Sequence, residues 1–598
     1  MGTQCALDAV RQATSLLDAI RRADALTVAA RRDGGPLAVW ALAAAAADPA
    51  DQLTAIASVH ALAQVFDQSA DEALVDLLTC AEPFLREHAA WALGTRLPRL
   101  DAVAGLVTMV ADGGFPGMLA QRTLEHWGSS APDHLALALE GALLGVDDPS
   151  ARARLVETIG LLPGRIPARV LRAAAVNPAE SIAVRAAGVA GLGDRTATGP
   201  VLALLTGLAQ ADDELADVAR LALFDLTAPP VPRVPLNRGT TVAQLFLHAD
   251  IDRELAQVGA GDNGGIATLL VRLGDALVAA TEDVDDLTLG ERAGRVERVV
   301  TISRGRPGEA FARLTDLGAG LPGHAFAAVP FVGEPVASVD AWSHRIAAQR
   351  GIRRVLRAAG QVDVIHLRMA DVGSLAAATV ARERDLPVVF TVAPDPHAAI
   401  DALAAAGALT RANFGAADAV DHLWFRVRLV QRLTADAAHL VFFPRPHLEQ
   451  DLRDLLGIDL ATERERSSVV AEGIDLSVIE HSLVDARASI VAGPGTGVIP
   501  VHGTGAPSTG PAARASLDGL DSLLRELPSE RRGLPLAITV GRLHHVKGMA
   551  ALVEAWAADP ALHARCNLLV VGGDLARPSP AEREQLARIA AVVPLAAA

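Results

Sequence analysis

A repeat with a period of about 33 residues constrains the fold of this chain more than any other feature of its sequence. A ten-residue segment that ends in glycine occurs four times, as Leu85–Gly94, Leu119–Gly128, Ala151–Gly160 and Val184–Gly193. Repeats of this length, built from helix pairs, are typical of α-solenoids, in which each repeat buries its apolar face against its neighbours. We therefore predict an all-α solenoid over residues 1–227, with left-handed helix caps at the four glycines.

The repeated segments resemble HEAT repeats in their period and in their small residues, such as Ala89 and Ala186, which would let neighbouring helices approach closely. A HEAT-like solenoid serves either as a spacer or as a surface that binds a protein partner, and the sequence leaves both roles open.

The sequence pattern changes after a proline-rich stretch. Four prolines between Thr227 and Pro235 cannot continue a helix, so we interpret residues 228–238 as a linker. Beyond it, β-rich runs alternate with helical stretches, which predicts a parallel sheet covered by helices. The predicted strands are Val242–His248, Arg298–Ser303, Ala325–Phe331, Val362–Leu367, Pro387–Val392, Leu440–Phe443, Ser468–Val470, Leu536–Val540 and Asn567–Val571.

The composition argues against several classes of function. The chain has a formal net charge of -16, only 3% aromatic residues and no tyrosine, so we expect no nucleic-acid partner. Its three cysteines are far apart, which predicts neither disulfides nor a metal cluster and favours a cytoplasmic location. The longest apolar stretch, Pro36–Ala47, is too short to span a bilayer, so we expect no transmembrane segment.

An Asp-x-Asp pattern within Glu282–Asp286 could indicate a metal-dependent transferase. The pattern follows a predicted helix rather than a strand, so we interpret it as a solvated acidic turn and expect no metal site.

The most specific motif runs from Val540 to Gly548, between a predicted strand and a predicted helix, Met549–Ala557. Arg542 and Lys547 flank a turn at the carboxyl end of that strand, the edge where open α/β sheets bind ligands. Two cations beside a helix N-terminus can hold a diphosphate, although a solvated basic pair is the alternative. Lys547 is the only lysine in the chain, which favours a role that needs a compact ammonium group.

The pattern Gly-Arg-Leu-x-x-x-Lys-Gly, which begins at Gly541, resembles the donor-diphosphate motif of retaining GT-B glycosyltransferases, the group that includes sucrose synthase and sucrose-phosphate synthase. In that family the arginine and lysine hold the diphosphate of a sugar nucleotide, which implies this catalytic role for Arg542 and Lys547. Three further segments also resemble the family, and they occur along the chain in the family's order. They are Gly261–Ile266, Val470–Asp475 and the stretch from Asn567 through Glu584. The resemblance covers residues 240–598 and implies substrate-binding roles for Gly264, Gly265, Glu472, Gly541 and Gly573.

The acceptor side departs from the family's pattern. His366 matches the first histidine of the family's His-x-His segment, whereas Arg368 stands where the second is expected. Ala393 takes the approximate place of a later histidine, and His397 lies beyond it. Arg368 cannot act as a general base because it stays protonated, but it can bind a charged acceptor. We expect His366 to be either catalytic or a hydrogen-bonded strand-end histidine, and Arg368 and Asp371 to bind substrate.

These features predict a HEAT-like solenoid followed by an α/β GT-B pair of Rossmann-like domains, the second of which is truncated, because the family's Glu-x7-Glu segment is expected beyond residue 598. The predicted boundaries are 1–227 for the solenoid, 228–238 for the linker, 239–475 for the acceptor-side domain, 476–532 for an inter-domain segment with a Gly/Pro-rich insertion, and 533–598 for the start of the donor-side domain.

The resemblance implies transfer of a hexosyl group, with retention, from a nucleoside-diphosphate sugar to a hydroxyl or sugar acceptor, with no cofactor besides this co-substrate. The alternative is a non-catalytic or impaired sugar-nucleotide-binding domain carried by a solenoid that binds a protein. A dinucleotide oxidoreductase is disfavoured, because no Gly-x-Gly-x-x-Gly opens a βαβ unit.

Overall fold

The first part of the chain folds into fourteen α-helices that pair in chain order. They are α1 (Thr3–Arg11), α2 (Leu16–Asp33), α3 (Gly35–Ala46), α4 (Gln52–Leu62), α5 (Gln68–Leu77), α6 (Pro83–Leu93), α7 (Leu100–Asp112), α8 (Gly114–Trp127), α9 (Pro132–Gly145), α10 (Pro149–Gly160), α11 (Arg165–Val176), α12 (Ile182–Gly193), α13 (Gly199–Leu208) and α14 (Glu214–Thr227). The structure is a computed structural model. It describes residues 2–228, 239–255, 265–279, 295–318, 322–332, 336, 338–392, 395–471, 473, 519–520, 522–541, 543, 547–573, 575, 578 and 580–596.

The even-numbered helices form one layer of this repeat and the odd-numbered helices form the other. Within the even layer, α2 packs on α4, α4 on α6, α6 on α8, α10 on α12, and α12 on α14. All four copies of the repeated sequence segment lie in the even layer, in α6, α8, α10 and α12 or directly after them. The 33-residue period is therefore the period of a helix pair, as expected of a HEAT-like repeat.

The four repeat glycines are not left-handed caps, so that prediction is wrong. Gly94 and Gly128 have φ angles of -62° and -57°, and Gly160 and Gly193 are also absent from the positive-φ residues. Their role is in packing between repeats. A Cβ on Gly128 would lie 2.8 Å from Leu162 Cδ2, and one on Gly193 would lie 3.1 Å from Ala222 Cα of the next helix pair. The glycines let successive pairs approach closely.

The second part of the chain alternates strands and helices. In chain order these are β1 (Thr240–Phe246), α15 (Gly265–Ala279), β2 (Val296–Gly305), α16 (Pro307–Gly318), β3 (Gly323–Pro330), α17 (Arg345–Ala358), β4 (Val364–Arg368), α18 (Val372–Glu383), β5 (Val388–Thr391), α19 (Asp395–Ala405), α20 (Phe414–Asp421), α21 (Leu423–Asp436), β6 (His439–Phe442), α22 (Leu448–Asp451), β7 (Ser467–Val469), β8 (Leu536–Val540), α23 (Met549–Ala558), α24 (Pro560–Arg565), β9 (Asn567–Val571) and α25 (Pro580–Ala596). All nine predicted strands are present, with each boundary within two residues of its predicted position.

Seven of these strands form one parallel sheet in the order β3-β2-β1-β4-β5-β6-β7. The strand order reverses between β1 and β4, as in doubly wound α/β sheets, which bind ligands at the carboxyl ends of the strands at this switch point. The prediction of a parallel, helix-covered sheet is confirmed. Among the described residues, β8 and β9 form a separate two-stranded parallel sheet.

The chain divides into two units, and the first comprises Met1–Leu247 and Ala280–Ala471. The helical repeat and the seven-stranded sheet therefore belong to the same unit. One cluster of buried apolar side chains runs from the repeat to Phe414 and Trp424, and another joins the sheet to Phe115 and Leu221 of the repeat. The even layer of the repeat is thus partly covered by the α/β half of the same chain.

The second unit comprises His248–Ala279 and Glu472–Ala598. It contains α15, the β8–β9 sheet and three helices beside that sheet. Of these helices, α23 packs against α24 and α25. The proline-rich linker beyond Ala228 and the Gly/Pro-rich insertion at 490–515 lie outside the described residues. The five sequence-based domain boundaries stay predictions. No helix in the described ranges is both long enough and apolar enough to cross a bilayer.

Candidate functional site

His366 lies in β4, beside the switch point of the seven-stranded sheet. Its Nε2 and the Thr391 Oγ1 of β5 are 2.7 Å apart and share a hydrogen bond. Burial, and then the positive charge of Arg368, lower the pKa of His366 to about 3. The imidazole is therefore neutral at pH 7, where it can form hydrogen bonds but is a weak base. This geometry fits the predicted strand-end histidine, and its catalytic role stays a prediction.

Arg368 is the last residue of β4, and Asp371 lies in the short turn between β4 and α18. Asp371 is buried and caps α18, because its carboxylate accepts a hydrogen bond from the Ser374 backbone N–H at 2.7 Å. Ser374 Oγ in turn donates to the Arg368 carbonyl oxygen at 2.8 Å. Met369, between them, has a φ of 63°, which gives the turn a sharp bend. Capping accounts for the position of Asp371, and the substrate-binding roles of Arg368 and Asp371 stay predictions.

His397 lies in α19 and is also buried. Burial, and then the charge of Arg21, lower its pKa to about 4. Its Nδ1 has no hydrogen-bond partner within the described ranges. Ala393, the residue at the approximate place of the family's later histidine, lies outside those ranges.

A row of polar side chains on one face of the sheet was not predicted from the sequence. Gln244 Nε2 of β1 donates to Thr301 Oγ1 of β2 at 2.9 Å, and Thr301 Oγ1 lies 2.7 Å from His324 Nε2 of β3. The strand register places Gln244 opposite both Thr301 and His366, so these side chains share a face. Polar residues inside otherwise apolar strands were the available sequence signal. The row runs from His324 of β3 to Thr391 of β5 and crosses the switch point between β1 and β4.

In the second unit, the loops after β8 and β9 meet backbone to backbone. A Cβ added to Gly572 would overlap the Gly541 carbonyl group, and one on Gly573 would lie 2.7 Å from Leu543 Cδ1. Gly572 and Gly573 both have positive φ angles, which favour glycine. The close crossing of the two loops at the carboxyl edge of the sheet therefore requires glycine at Gly572 and Gly573.

Lys547 is exposed and lies directly before Gly548, the N-cap of α23, which has a φ of 66°. Lys547 is therefore two residues before the first residue of this ten-residue helix, which follows β8. Arg542, the other predicted diphosphate ligand, lies outside the described residues, as do Gly264 and Glu472. Gly265 is the first residue of α15.

A second buried polar cluster, which joins the repeat to α20, was also not predicted. His60 Nε2 lies 3.0 Å from His88 Nδ1, and His88 Nε2 lies 2.9 Å from Asp418 Oδ2. Glu87, beside this cluster, is 5% exposed, and burial followed by the charge of Asp418 raises its pKa to about 8. Within the described ranges, no group of three or more histidine, cysteine or carboxylate side chains could hold a metal ion.

Comparisons with known proteins add little to this geometry. No family model and no curated protein matches the chain. Among solved structures, human deoxyhypusine hydroxylase in complex with glycerol is 20% identical, over 37% of this chain and 95% of that chain, with a TM-score of 0.18. At that TM-score the superposition supports no argument about fold or function.

Proposed function

We propose that the chain is a retaining glycosyltransferase that moves a hexosyl group from a nucleoside-diphosphate sugar to a hydroxyl acceptor. The observation that carries the proposal is that Lys547, an exposed lysine, lies directly before the N-cap of α23 in the loop that follows β8. Parallel strands end at this edge, and a helix begins there. Each of these features favours an anionic phosphate group.

In the proposed reaction, the bond between the anomeric carbon and the diphosphate breaks, and the acceptor oxygen bonds to the same face of the sugar. The acceptor proton passes to a donor phosphate oxygen, as the family resemblance implies. Lys547 and Arg542 stabilise the negative charge that develops on the departing diphosphate. No protein nucleophile is required in this scheme.

On the acceptor side, the neutral imidazole of His366 supports a role in orienting a substrate hydroxyl rather than in accepting its proton. Thr391 fixes one ring nitrogen through the 2.7 Å hydrogen bond. Arg368, half-buried at the end of β4, supports an acceptor that carries a phosphate or carboxylate group. Both residues belong to the switch-point edge of the seven-stranded sheet.

The second candidate is a sugar-nucleotide-binding domain without transferase activity. The pKa of His366, about 3, favours it, because this histidine is a weak base at neutral pH. The proposed protein partner of the solenoid would need a surface other than the part of the even layer that the α/β half covers.

The single lysine permits a direct test of the donor site. An acylating reagent that reacts with amines should modify only Lys547 and the N-terminal amine of this 598-residue chain. We expect a nucleoside diphosphate to slow acylation of Lys547 in proportion to occupancy, and the corresponding nucleoside to leave it unchanged. Peptide mass spectrometry measures both rates, and the N-terminal amine is the internal control. Equal acylation of Lys547 with and without the diphosphate would remove its proposed role.

Calorimetric titration of variants gives the energetic counterpart. Lys547→Ala should weaken nucleoside-diphosphate binding by about ten- to a hundredfold, because it removes a charge-assisted contact. Lys547→Arg should lose less affinity, since the charge remains while the compact head group does not. An assay for hexosyl transfer or hydrolysis then separates the two candidates, because binding without turnover favours the non-catalytic domain.

A further inference from the structure

A cavity lined by arginines lies inside the first unit, between the helical repeat and the helices of the α/β half. Its volume is about 270 Å³, and helices α6, α8, α17, α18 and α21 supply its walls. Its charged and titratable lining consists of Arg122, Glu125, His126, Arg345, Arg382 and Arg432. Four arginines thus face a single carboxylate, in a chain whose net charge is strongly negative.

The one carboxylate of the lining is already engaged. Glu125 Oε2 lies 2.8 Å from Arg345 Nη1, and Arg345 Nη2 donates to Gln121 Oε1 at 3.2 Å. Arg345 is 3% exposed, and its Nε has no hydrogen-bond partner in the described part of the chain. Arg382 pairs with Asp436, which lies outside the lining, at 3.0 Å. Among the described residues, Arg122 and Arg432 are therefore the lining arginines without an ion pair.

Arg122 is the centre of this excess charge. No carboxylate among the described residues lies within ion-pair distance of its guanidinium, which packs 5.7 Å from the centroid of the Phe425 ring. Burial, and then the charges of Arg345 and Arg432, lower the pKa of Arg122 to about 9. Such a fall reports a positive charge held near like charges at a site partly withdrawn from water.

Elsewhere along the same boundary, buried arginines have acidic partners. Arg350 Nε lies 2.6 Å from Asp194 Oδ2, and Arg354 Nη2 lies 2.5 Å from Asp225 Oδ2. Arg122 has no such partner among the described residues. Buried charges without partners cost free energy, so a mobile anion is the natural complement of Arg122.

We propose that this cavity is a binding site for a small phosphorylated anion. Guanidinium groups bind phosphate oxygens through paired hydrogen bonds, and here Arg122 of α8 and Arg345 of α17 line the same space. The volume lies just below the roughly 300–1,000 Å³ that is usual for ligand pockets, which suits a phosphate ester or pyrophosphate. This site is independent of the proposed donor site and does not rest on it.

The test is calorimetric titration of the full-length chain with inorganic phosphate, pyrophosphate and citrate at constant ionic strength. We expect phosphate or pyrophosphate to bind, and Arg122→Gln to weaken that binding by about ten- to a hundredfold. Arg172→Gln is the matched control, because Arg172 is an exposed arginine of α11 outside the cavity, and it should bind like the wild type.

Thermal unfolding without added anion separates binding from a folding defect. Because Arg122 has no acidic partner, Arg122→Gln should unfold at the same temperature as the wild type or at a higher one, while losing the stabilisation that the anion confers. Equal affinities of the wild type and Arg122→Gln, or no binding of phosphate and pyrophosphate by the wild type, would overturn the proposal. Binding of citrate alone would overturn the assignment of a phosphorylated ligand.

Discussion

Glu87 is a carboxyl group inside the apolar core of the repeat, with Asp418 and two histidines nearby. Its pKa of about 8 in the folded chain lies far above the value of roughly 4.3 in an unfolded chain. Between these values the unfolded chain releases a proton that the folded chain keeps. The contribution of Glu87 to the free energy of unfolding therefore falls as pH rises, by up to about 1.4 kcal/mol per pH unit.

Glu87→Gln should remove this loss, because the amide does not ionise. We expect the difference in unfolding temperature, variant minus wild type, to increase as pH rises from 5 to 8. His60 acts in the opposite direction, since burial and the charge of His88 lower its pKa, and its contribution is lost as pH falls below about 6.5. Both chains contain His60, so their difference isolates Glu87. A difference that does not change with pH would contradict the assignment.

Sequence reasoning could identify His366, Arg368 and Lys547 because each lies beside a strand end with a recognisable pattern. It could not find Glu87 or Arg122. Both look like ordinary polar residues of an amphipathic helix, and only the approach of a distant segment withdraws them from water. The physical property that makes each unusual is its three-dimensional neighbourhood, which no local pattern encodes.

At the scale of single elements, α20 packs on α6 with almost no free space. A Cβ on Gly415 of α20 would lie 2.6 Å from the ring of Phe84, so Gly415→Ala should destabilise the fold by about 1–3 kcal/mol. Gly141 of α9 is the matched control, since a Cβ there would meet nothing within 4 Å. Gly141→Ala should stabilise the chain by up to about 1 kcal/mol, because alanine favours the helix.

Thermal unfolding of the two variants measures this difference in sign. Destabilisation by both alanines, to the same extent, would show that the contact with Phe84 does not set the cost at Gly415.

The repeat glycines also show that the neighbours of a glycine decide its role. A glycine at a helix end has two explanations, a left-handed backbone or a close neighbour. The sequence shows the position of Gly128 but not that of Leu162, which decides between them.

At the scale of the whole molecule, buried ion pairs connect the repeat to the α/β half. Arg354 of α17 binds Asp225 of α14, and both side chains are largely buried. Arg354→Leu would leave the Asp225 carboxylate in a site where burial already raises its pKa. We expect a loss of about 3–5 kcal/mol, as is usual when one partner of a buried pair is removed.

The double variant Arg354→Leu with Asp225→Leu should recover much of this loss, because no unpaired charge remains. Denaturant unfolding of the wild type, both single variants and the double variant measures the coupling. A double variant as unstable as the sum of the single variants would mean that the pair contributes no specific interaction. A stable Arg354→Leu chain would mean that the Asp225 carboxylate is solvated.

The repeat and the strands were predictable because their signals are local: a period of one helix pair, and apolar runs bounded by turns. The contacts at the boundary between the repeat and the α/β half could not be predicted from local patterns. Its ion pairs join residues 129, 156 and 360 positions apart, such as Arg354 with Asp225 and Arg411 with Asp51. Many arginines and acids in the chain could pair equally well on sequence alone, and topology selects among them.

The shared core has a consequence for how the chain is made. The even layer of the repeat includes Phe115 and Leu221, whose apolar partners lie in segments as distant as Phe425. Phe425 follows Leu221 by 204 residues and Phe115 by 310 residues. At synthesis rates of roughly 5–20 residues per second, this surface therefore emerges from the ribosome about 10–60 s before its partner. During that interval the nascent chain exposes an apolar face that is prone to aggregation, and binding of a chaperone to this face would prevent it.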